Sequence, residues 1–375
     1  MINFVSNLPK DLRSGGFSAM NAAAYSAISR RTSSRYIGPI SPPVIASQKV
    51  WSKLRRIVGW QGSFFFFSDR RLNEIAGEVR SKCQSDALLD FFHGFTPWIL
   101  TRPPRPYIAW SDCTFRDCVR IFHRWQQFRR DDLERIERTE AAWLKNACRV
   151  LFTSEWAAER AIHDYSLDAN RVGSVGIFGE IEMPARDAYG GSREFAFVST
   201  NFDAKGGRIV LAAFREVQRR HSDARLIVVG DRPPGTVPES GVTFTGFLRK
   251  EIPDEYRLFQ GILGRVRALV NATSSDICPL LFIEAGYVGC PVISTRKFAI
   301  PELIDDGRTG LLLDDSSETS VASAMNWMLE HSSEYQEMRK SAWAKARGQH
   351  SKTQFEARMF SHLSEVISAG RMLVL

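Results

Sequence analysis

Apolar residues fall along this chain in two alternating rhythms. Short apolar runs end in turn residues, and longer stretches with apolar positions three and four apart follow them. INFVSN (2–7) leads through a glycine turn into the helical FSAMNAAAYSAISR. DALLDFF (86–92) ends at His93, and YIAW (107–110) ends at Ser111 and Asp112. The charged run 131–147 has helical spacing. RVLFTS (149–154) is followed by the helical EWAAERAIHDYSL, and VGSVGIFG (172–179) closes the series. The pattern then restarts with EFAFVST (194–200), the loop NFDAKGG, and a helix through 221. ARLIVVGD (224–231), VTFTGFL, RALVNAT, PVIST and TGLLLDD read as further strands, and 316–369 reads as helical.

Strands that alternate with longer helices predict parallel, doubly wound sheets, the α/β class. A chain of 375 residues exceeds one ordinary core. The expected organisation is two Rossmann-like domains facing across a cleft, with C-terminal helices. The first domain spans 1–180, a polar Pro/Gly-bearing linker spans 181–193, and the second domain spans 194–345. A C-terminal helix, 346–375, is expected to pack back toward the first domain. Ligands of such sheets bind outside the carboxyl ends of the strands. Attention therefore falls on the loops PKDLRSGGFS, HGFTPW and SSDICP.

Charge adds an asymmetry. Residues 1–180 hold 26 Lys/Arg against 18 Asp/Glu, whereas 181–375 hold 24 of each. The basic first half suits an anionic partner. No nucleic-acid-binding pattern accompanies it, so nucleic acid is not expected. Within it, PPVIASQKVWSKLRRIVGW (42–60) places Val50, Leu54, Ile57 and Val58 on one helical face. Lys49, Lys53 and Arg56 lie on another, with Arg55 beside them. Two readings stay open: a basic amphipathic helix lying in a membrane interface, or a surface helix packing its apolar face inward. The second is the commoner case. Six cysteines fit no metal spacing and read as reduced thiols of a cytoplasmic protein. No metal site is expected, and no apolar run is long enough to span a bilayer. The N-terminus lacks signal-peptide features.

In SSDICPLLFIEAGYVGCPVIST, Glu284 is the one charged residue between Ile277 and Thr295, and Asp276 stands eight positions earlier. Asp276 falls in a strand-to-helix loop, Pro279 opens the helix, and Glu284 follows about one and a half turns in. Two acceptor-only carboxylates around a helix N-terminus suit a polyol joined to a phosphate. A buried acid satisfied by an Arg or by backbone is the equal alternative.

The stretch SDICPLLFIEAGYVGCPVIST…AIPELIDDGRTGLLLDD resembles the donor-binding half of GT-B retaining glycosyltransferases, specifically glycosyltransferase family 4 (group 1 glycosyl transferases). The acids fall on Asp276 and Glu284. The strand falls on Gly289, Pro291, Val292 and Ile293, and a later segment on Glu302 through Gly310. GGFSAMNAA, FFHGFTPW, AWLKNACRVLFTSEWAAERAI and NFDAKGG agree with the same pattern. The resemblance implies metal-independent transfer of a sugar from a nucleotide-diphosphate sugar, with retention and without a further cofactor. The acceptor would be a glycan or a lipid-linked molecule, and the place cytoplasmic, peripheral at the inner face of the membrane. By position, Glu284 would hold the ribose hydroxyls, and Asp276 would touch the donor sugar. Lys205 and backbone N–H groups around Leu280 would support the diphosphate. Gly15 and Gly16 would let the first loop approach it, and His93 would sit beside the transferred sugar. A core histidine is the alternative for His93, and a solvated loop lysine for Lys205. Asp112 is an acceptor-side candidate, and Lys49, Lys53, Arg55 and Arg56 would face the membrane.

The sequence also departs from the pattern. Asp276 is one methylene shorter than the usual Glu, Cys278–Pro279 replace an aromatic-glycine pair, and Ser199 and Thr200 stand where an Arg is usual. Arg208 or Arg13 could supply that cation. These departures motivate one alternative, a weak or inactive sugar-nucleotide-binding protein; an epimerase or hydrolase of sugar nucleotides is a separate one.

Overall fold

The computed structural model describes residues 1–12, 16–18, 20–187, 189, 191–237 and 239–372. It contains two six-stranded sheets, each wholly parallel, in two compact units. Unit 1 comprises Met1–Gly176 and the helical residues from Phe355 on, and unit 2 comprises Ile177–Gln354.

In unit 1 the strands are β1 (Ile2–Val5), β2 (Ser34–Ile37), β3 (Leu89–His93), β4 (Tyr107–Ser111), β5 (Arg149–Phe152) and β6 (Val172–Ser174). Their order is β2-β1-β3-β4-β5-β6. Every residue of β1, β3 and β4 is buried, as expected of inner parallel strands covered by helices on both faces. Phe92, Trp98, Trp143 and Phe152 contribute to one apolar core. The helix Lys352–Met372 ends in this unit, where Phe355 lies 5.7 Å from the ring of Trp110 and Arg149 pairs with Glu365.

In unit 2 the strands are β7 (Glu194–Val198), β8 (Arg225–Val229), β9 (Val242–Gly246), β10 (Ala268–Asn271), β11 (Val292–Thr295) and β12 (Gly310–Leu313). Their order is β12-β11-β10-β7-β8-β9. Phe195, Phe197, Val228, Val270 and Ile293 anchor its core. The first strand of each unit is flanked by strands whose connections wind in opposite senses. The switch point therefore lies between β1 and β3 in unit 1 and between β7 and β10 in unit 2.

Three sequence expectations change. β2 was not foreseen: SRYI buries only Ile37 and hides among arginines and serines. VGSVGIFG is extended only through Ser174, since Gly176 adopts φ +69° and breaks the strand. The helical stretch 316–369 is three helices: Glu318–Glu330, Ser332–Gln349 and Lys352–Met372.

Candidate active site

Unit 2 brings two of the expected residues into contact. Lys205 lies in the loop after β7 and Asp276 in the loop after β10, the two strands at the switch point. Lys205 Nζ donates to Asp276 Oδ1, and both side chains are half-buried. The loops are tied along their backbones. Ser274 N donates to Ala204 O at 3.4 Å, and Ser275 Oγ reaches the same carbonyl at 3.4 Å. Asn271 Nδ2 donates to Val198 O at 3.2 Å, and Thr295 Oγ1 to Thr273 O at 2.8 Å. Polar side chains thus lace together the carboxyl ends of β7, β10 and β11. Gly206 follows Lys205 in a left-handed conformation, φ +79°, where a Cβ would stand 2.5 Å from Ala272 O. Only glycine permits that approach, which starts the helix Gly207–Arg220 directly behind the lysine.

The helix Leu280–Tyr287 begins four residues after Asp276, with Pro279 at its N-cap. Its first N–H groups have no intrahelical partner and present a positive end to an anion. Leu280 is the first residue of that turn. The helix is buried on nearly all sides, which explains its almost unbroken apolar sequence.

Glu284, 1% exposed, sits in the middle of this helix. Its Oε1 accepts from Lys250 Nζ at 2.5 Å and from the backbone N of Glu180 at 2.9 Å. Lys250 follows β9, lies 3.8 Å from Glu180 Oε2, and stands 5.3 Å above the Phe259 ring centroid. Sequence reasoning missed Lys250. Its contact spans 34 positions, and nothing in GFLRKEIPDEY marks it. The segment before Glu180 is equally fixed: a Cβ on Gly179 would lie 2.8 Å from both Glu284 Cγ and Tyr287 Cε2. Gly179 N donates to the Tyr287 hydroxyl at 3.0 Å.

In unit 1 His93 ends β3, beside β1. It is buried among aromatic rings. Phe17 stacks on it at 4.5 Å and 5°, and Trp110 meets it edge-on at 5.5 Å. Among the described residues no hydrogen bond of normal geometry satisfies either ring nitrogen, nor Trp110 Nε1. Burial lowers the His93 pKa to about 3 and outweighs the opposing backbone contact with Phe17, so the ring is neutral near pH 7. Gly16, φ +61°, precedes Phe17 in the turn after β1; Gly15 and Arg13 lie outside the described residues. Asp112 follows β4 with some surface exposed. The protein around it nevertheless pushes its carboxyl up to about 6 through desolvation, aided by Cys118. Arg208, weighed as a substitute cation, is exposed and paired with Asp203 at 2.7 Å. Among the described residues, no group of three His, Cys, Asp or Glu side chains is placed to hold a metal ion.

The helix Ala46–Ile57 corrects the inward-packing expectation. Only Ser52 within it is buried. Trp51 is 67% exposed and Ile57 78%, and Val50, Leu54 and Val58 are exposed beside them. Lys49, Lys53 and Arg55 are exposed, and Arg56 is half-buried.

Residues 192–331, within unit 2, match the family described as glycosyl transferases group 1. Over 135 residues the chain is 24% identical to a GDP-mannose-dependent α-(1-6)-phosphatidylinositol monomannoside mannosyltransferase of Mycolicibacterium smegmatis. It is 28% identical over 135 residues to the protein of that name from Mycobacterium tuberculosis. Each alignment covers 33% of this chain and 35% of the relative, so the chain spans about a third of the length of the curated relatives it matches. Likeness of fold extends much further. Anabaena HepE, solved with UDP and glucose, superposes with a TM-score of 0.63 at 16% identity, covering 97% of this chain and 99% of that one. Sucrose-phosphate synthase from Thermosynechococcus elongatus superposes at 0.67 with 15% identity, covering 98% and 99%. The chain is thus a two-unit α/β protein of the GT-B fold. The match to group 1 glycosyl transferases falls within its second unit.

Proposed function

We propose that this protein transfers a sugar from a nucleotide-diphosphate sugar to a glycan or lipid-linked acceptor, with retention and without a metal ion. The observation that carries the reading is the Lys205–Asp276 pair at the β7/β10 switch point, four residues before a helix N-terminus. The match of residues 192–331 to group 1 glycosyl transferases supports it. The relatives' names, with a GDP-mannose donor and a phosphatidylinositol-based acceptor, support the nucleotide-sugar and lipid-linked parts. HepE, solved with UDP-glucose, supports the donor class.

On this reading the donor's diphosphate draws Lys205 away from Asp276 and rests against the N–H groups around Leu280. The sugar–phosphate C–O bond breaks, and its electron pair leaves with the diphosphate. The acceptor hydroxyl oxygen bonds the same carbon, and its proton passes to the leaving phosphate. Lys205 and the helix end stabilise the developing negative charge, the role that a bound cation plays elsewhere. Glu284 holds the ribose hydroxyls, and Asp276 turns to a sugar hydroxyl. Gly15 and Gly16 admit the diphosphate to the first loop, and neutral His93 sits beside the transferred sugar. Asp112 faces the acceptor. The cytoplasm, at the inner face of the membrane, is the proposed place of action.

A panel of UDP-, GDP-, ADP- and TDP-sugars in thermal shift identifies the donor. A ligand at 100 times its Kd raises stability by about 2.7 kcal/mol. Product NMR then reads the anomeric configuration, and turnover in EDTA reads metal dependence. The shorter Asp276, already engaged by Lys205, favours a second reading, a donor-binding protein without transfer. Donor-induced stabilisation with no acceptor-dependent release of nucleotide would select it.

A further inference from the structure

The helix Ala46–Ile57 is held to unit 1 by one narrow edge. Ser52 Oγ donates to Ser63 O at 2.9 Å, and a Cβ on Gly62 would lie 2.3 Å from Ser52 Oγ. Arg56 Nε donates to Ser52 O at 3.2 Å, and its guanidinium lies 5.5 Å from the Phe128 ring centroid. The strap beneath is itself paired: Gly62 N donates to Gln127 O, and Arg129 N to Gly62 O, both at 2.9 Å.

At about 100° per residue, Val50, Trp51, Leu54, Ile57 and Val58 occupy one sector of about 120°, and Ser52 lies about 160° from its centre. The side that touches the protein is therefore opposite the apolar side. Lys53 and Arg55 flank the apolar sector, each about 40° beyond one of its edges, and Lys49 lies further round on the Lys53 side. Trp60 and Trp125 are exposed on the adjoining segments. A helix that faces its own protein ordinarily does the reverse, burying the apolar sector.

We infer that this helix is an interfacial docking surface for an anionic lipid bilayer. Trp51, Leu54, Ile57 and Val58 enter the headgroup–acyl boundary, while Lys53 and Arg55 meet lipid phosphates at its edges and Lys49 reaches them from further round. Exposed tryptophans belong at that depth, where one end of the ring is apolar and the other wet. The basic flanks choose the partner. They complement an anionic surface, and the whole basic excess of the chain lies in residues 1–180. Among the described residues no helix is long and apolar enough to cross a membrane, so the helix lies in the interface plane. The inference goes beyond the transfer reading and stands without it, because docking needs no donor.

The experiment is flotation of the full chain with vesicles of phosphatidylcholine alone and of phosphatidylcholine with phosphatidylglycerol, at low and high salt. Association is expected only with the anionic vesicles and weakens with salt. Trp51→Ser with Ile57→Ser should lower partition about tenfold or more, since each removes apolar surface that the interface would cover. Lys53→Gln with Arg55→Gln should abolish the preference for anionic vesicles. Val237→Ser, at an exposed apolar residue of unit 2, is the control and should change nothing. Circular dichroism confirms that the variants fold. Absence of flotation, equal flotation on neutral vesicles, or a concentration-dependent dimer dispersed by the Trp51/Ile57 variant would each overturn the proposal. Turnover of a water-soluble acceptor in the same preparations keeps a failure of docking distinct from a failure of transfer.

Discussion

Lys250 Nζ donates to Glu284 Oε1 at 2.5 Å, giving the most deeply buried acid of the candidate donor site a cation from its own chain. The pair is unequal. The carboxylate is 1% exposed, and the lysine side chain 29%. Removing the lysine leaves a buried anion with one backbone donor on that oxygen, whereas removing the acid leaves a cation that can turn to water. Lys250→Met should therefore destabilise the protein by about 2 kcal/mol. Glu284→Gln, which keeps an acceptor for the Glu180 N–H, should cost less. Urea unfolding of the two variants tests the order, and an equal loss would mean that the pair acts as an exposed one.

Donor binding separates the two roles that the sequence left open for Glu284. Alanine at this position should abolish the thermal shift given by the preferred nucleotide sugar. Lys250→Met should retain a weakened shift, because the lysine only positions the acid. A Glu284→Ala protein that binds donor normally would leave the acid with its structural role alone.

Lys205 and Asp276 are predicted to act on the transition state more than on donor affinity. Lys205→Ala should lower kcat by about 100- to 1000-fold, the usual effect of removing one preorganised charge donor. Asp276→Asn, which keeps size and loses charge, should lower kcat with little change in KM for the donor. Steady-state kinetics over donor concentration distinguishes this from uniform weakening of binding.

Much of this was legible along the chain because the features involved are local. Alternation of short strands and long helices shows directly in the order of apolar runs, and the two parallel sheets follow from it. Asp276, Pro279 and Glu284 sit on one loop-helix segment, so their relative placement follows from helix geometry. Lys250 was not legible, because it reaches Glu284 through the turn after another strand. The outward apolar face of Ala46–Ile57 was not legible for a different reason. Periodicity gives a helix its faces, but what lies opposite each face depends on a strap at residues 61–63 and 126–129. Ser52, small and polar in the centre of the contact edge, was the one local sign.

His93 gives an acid-sensitive term with a definite sign. Its folded pKa, about 3, lies below an unfolded value near 6.5. Between these values the unfolded chain takes up a proton that the folded chain refuses. Its contribution to stability is therefore complete above about pH 6.5 and is lost as pH falls toward 3, by up to about 1.4 kcal/mol per pH unit. His93→Phe should remove that slope and, by deleting two unsatisfied buried nitrogens, leave stability at pH 7 unchanged or higher. The same variant should lower sugar transfer. Unfolding titrations from pH 4 to 7 test the first expectation and turnover the second. An unchanged slope would show that the ring is hydrated.

Glu140 supplies the opposite slope. It lies fully buried behind the carboxyl end of the unit 1 sheet, where it accepts from Thr96 Oγ1 and Phe115 N at 2.6 Å and from the Tyr165 hydroxyl at 3.1 Å. These donors join the turns after β3 and β4 to the helices Arg130–Lys145 and Glu155–Tyr165. Burial outweighs them and raises its pKa to about 7 from an ordinary 4.5. The folded chain then holds a proton that the unfolded chain has released, so this contribution is complete below about pH 4.5 and is lost as pH rises through 7. The loss over that window is roughly 2–3 kcal/mol. Glu140→Gln should flatten it, because the amide keeps an oxygen for Phe115 N and Tyr165 while carrying no charge to desolvate. The difference between the wild-type and Glu140→Gln unfolding free energies should shift in favour of Gln as pH rises from 5 to 7.5. A constant difference across that range would show that the carboxylate is ionised throughout and held by its three donors alone.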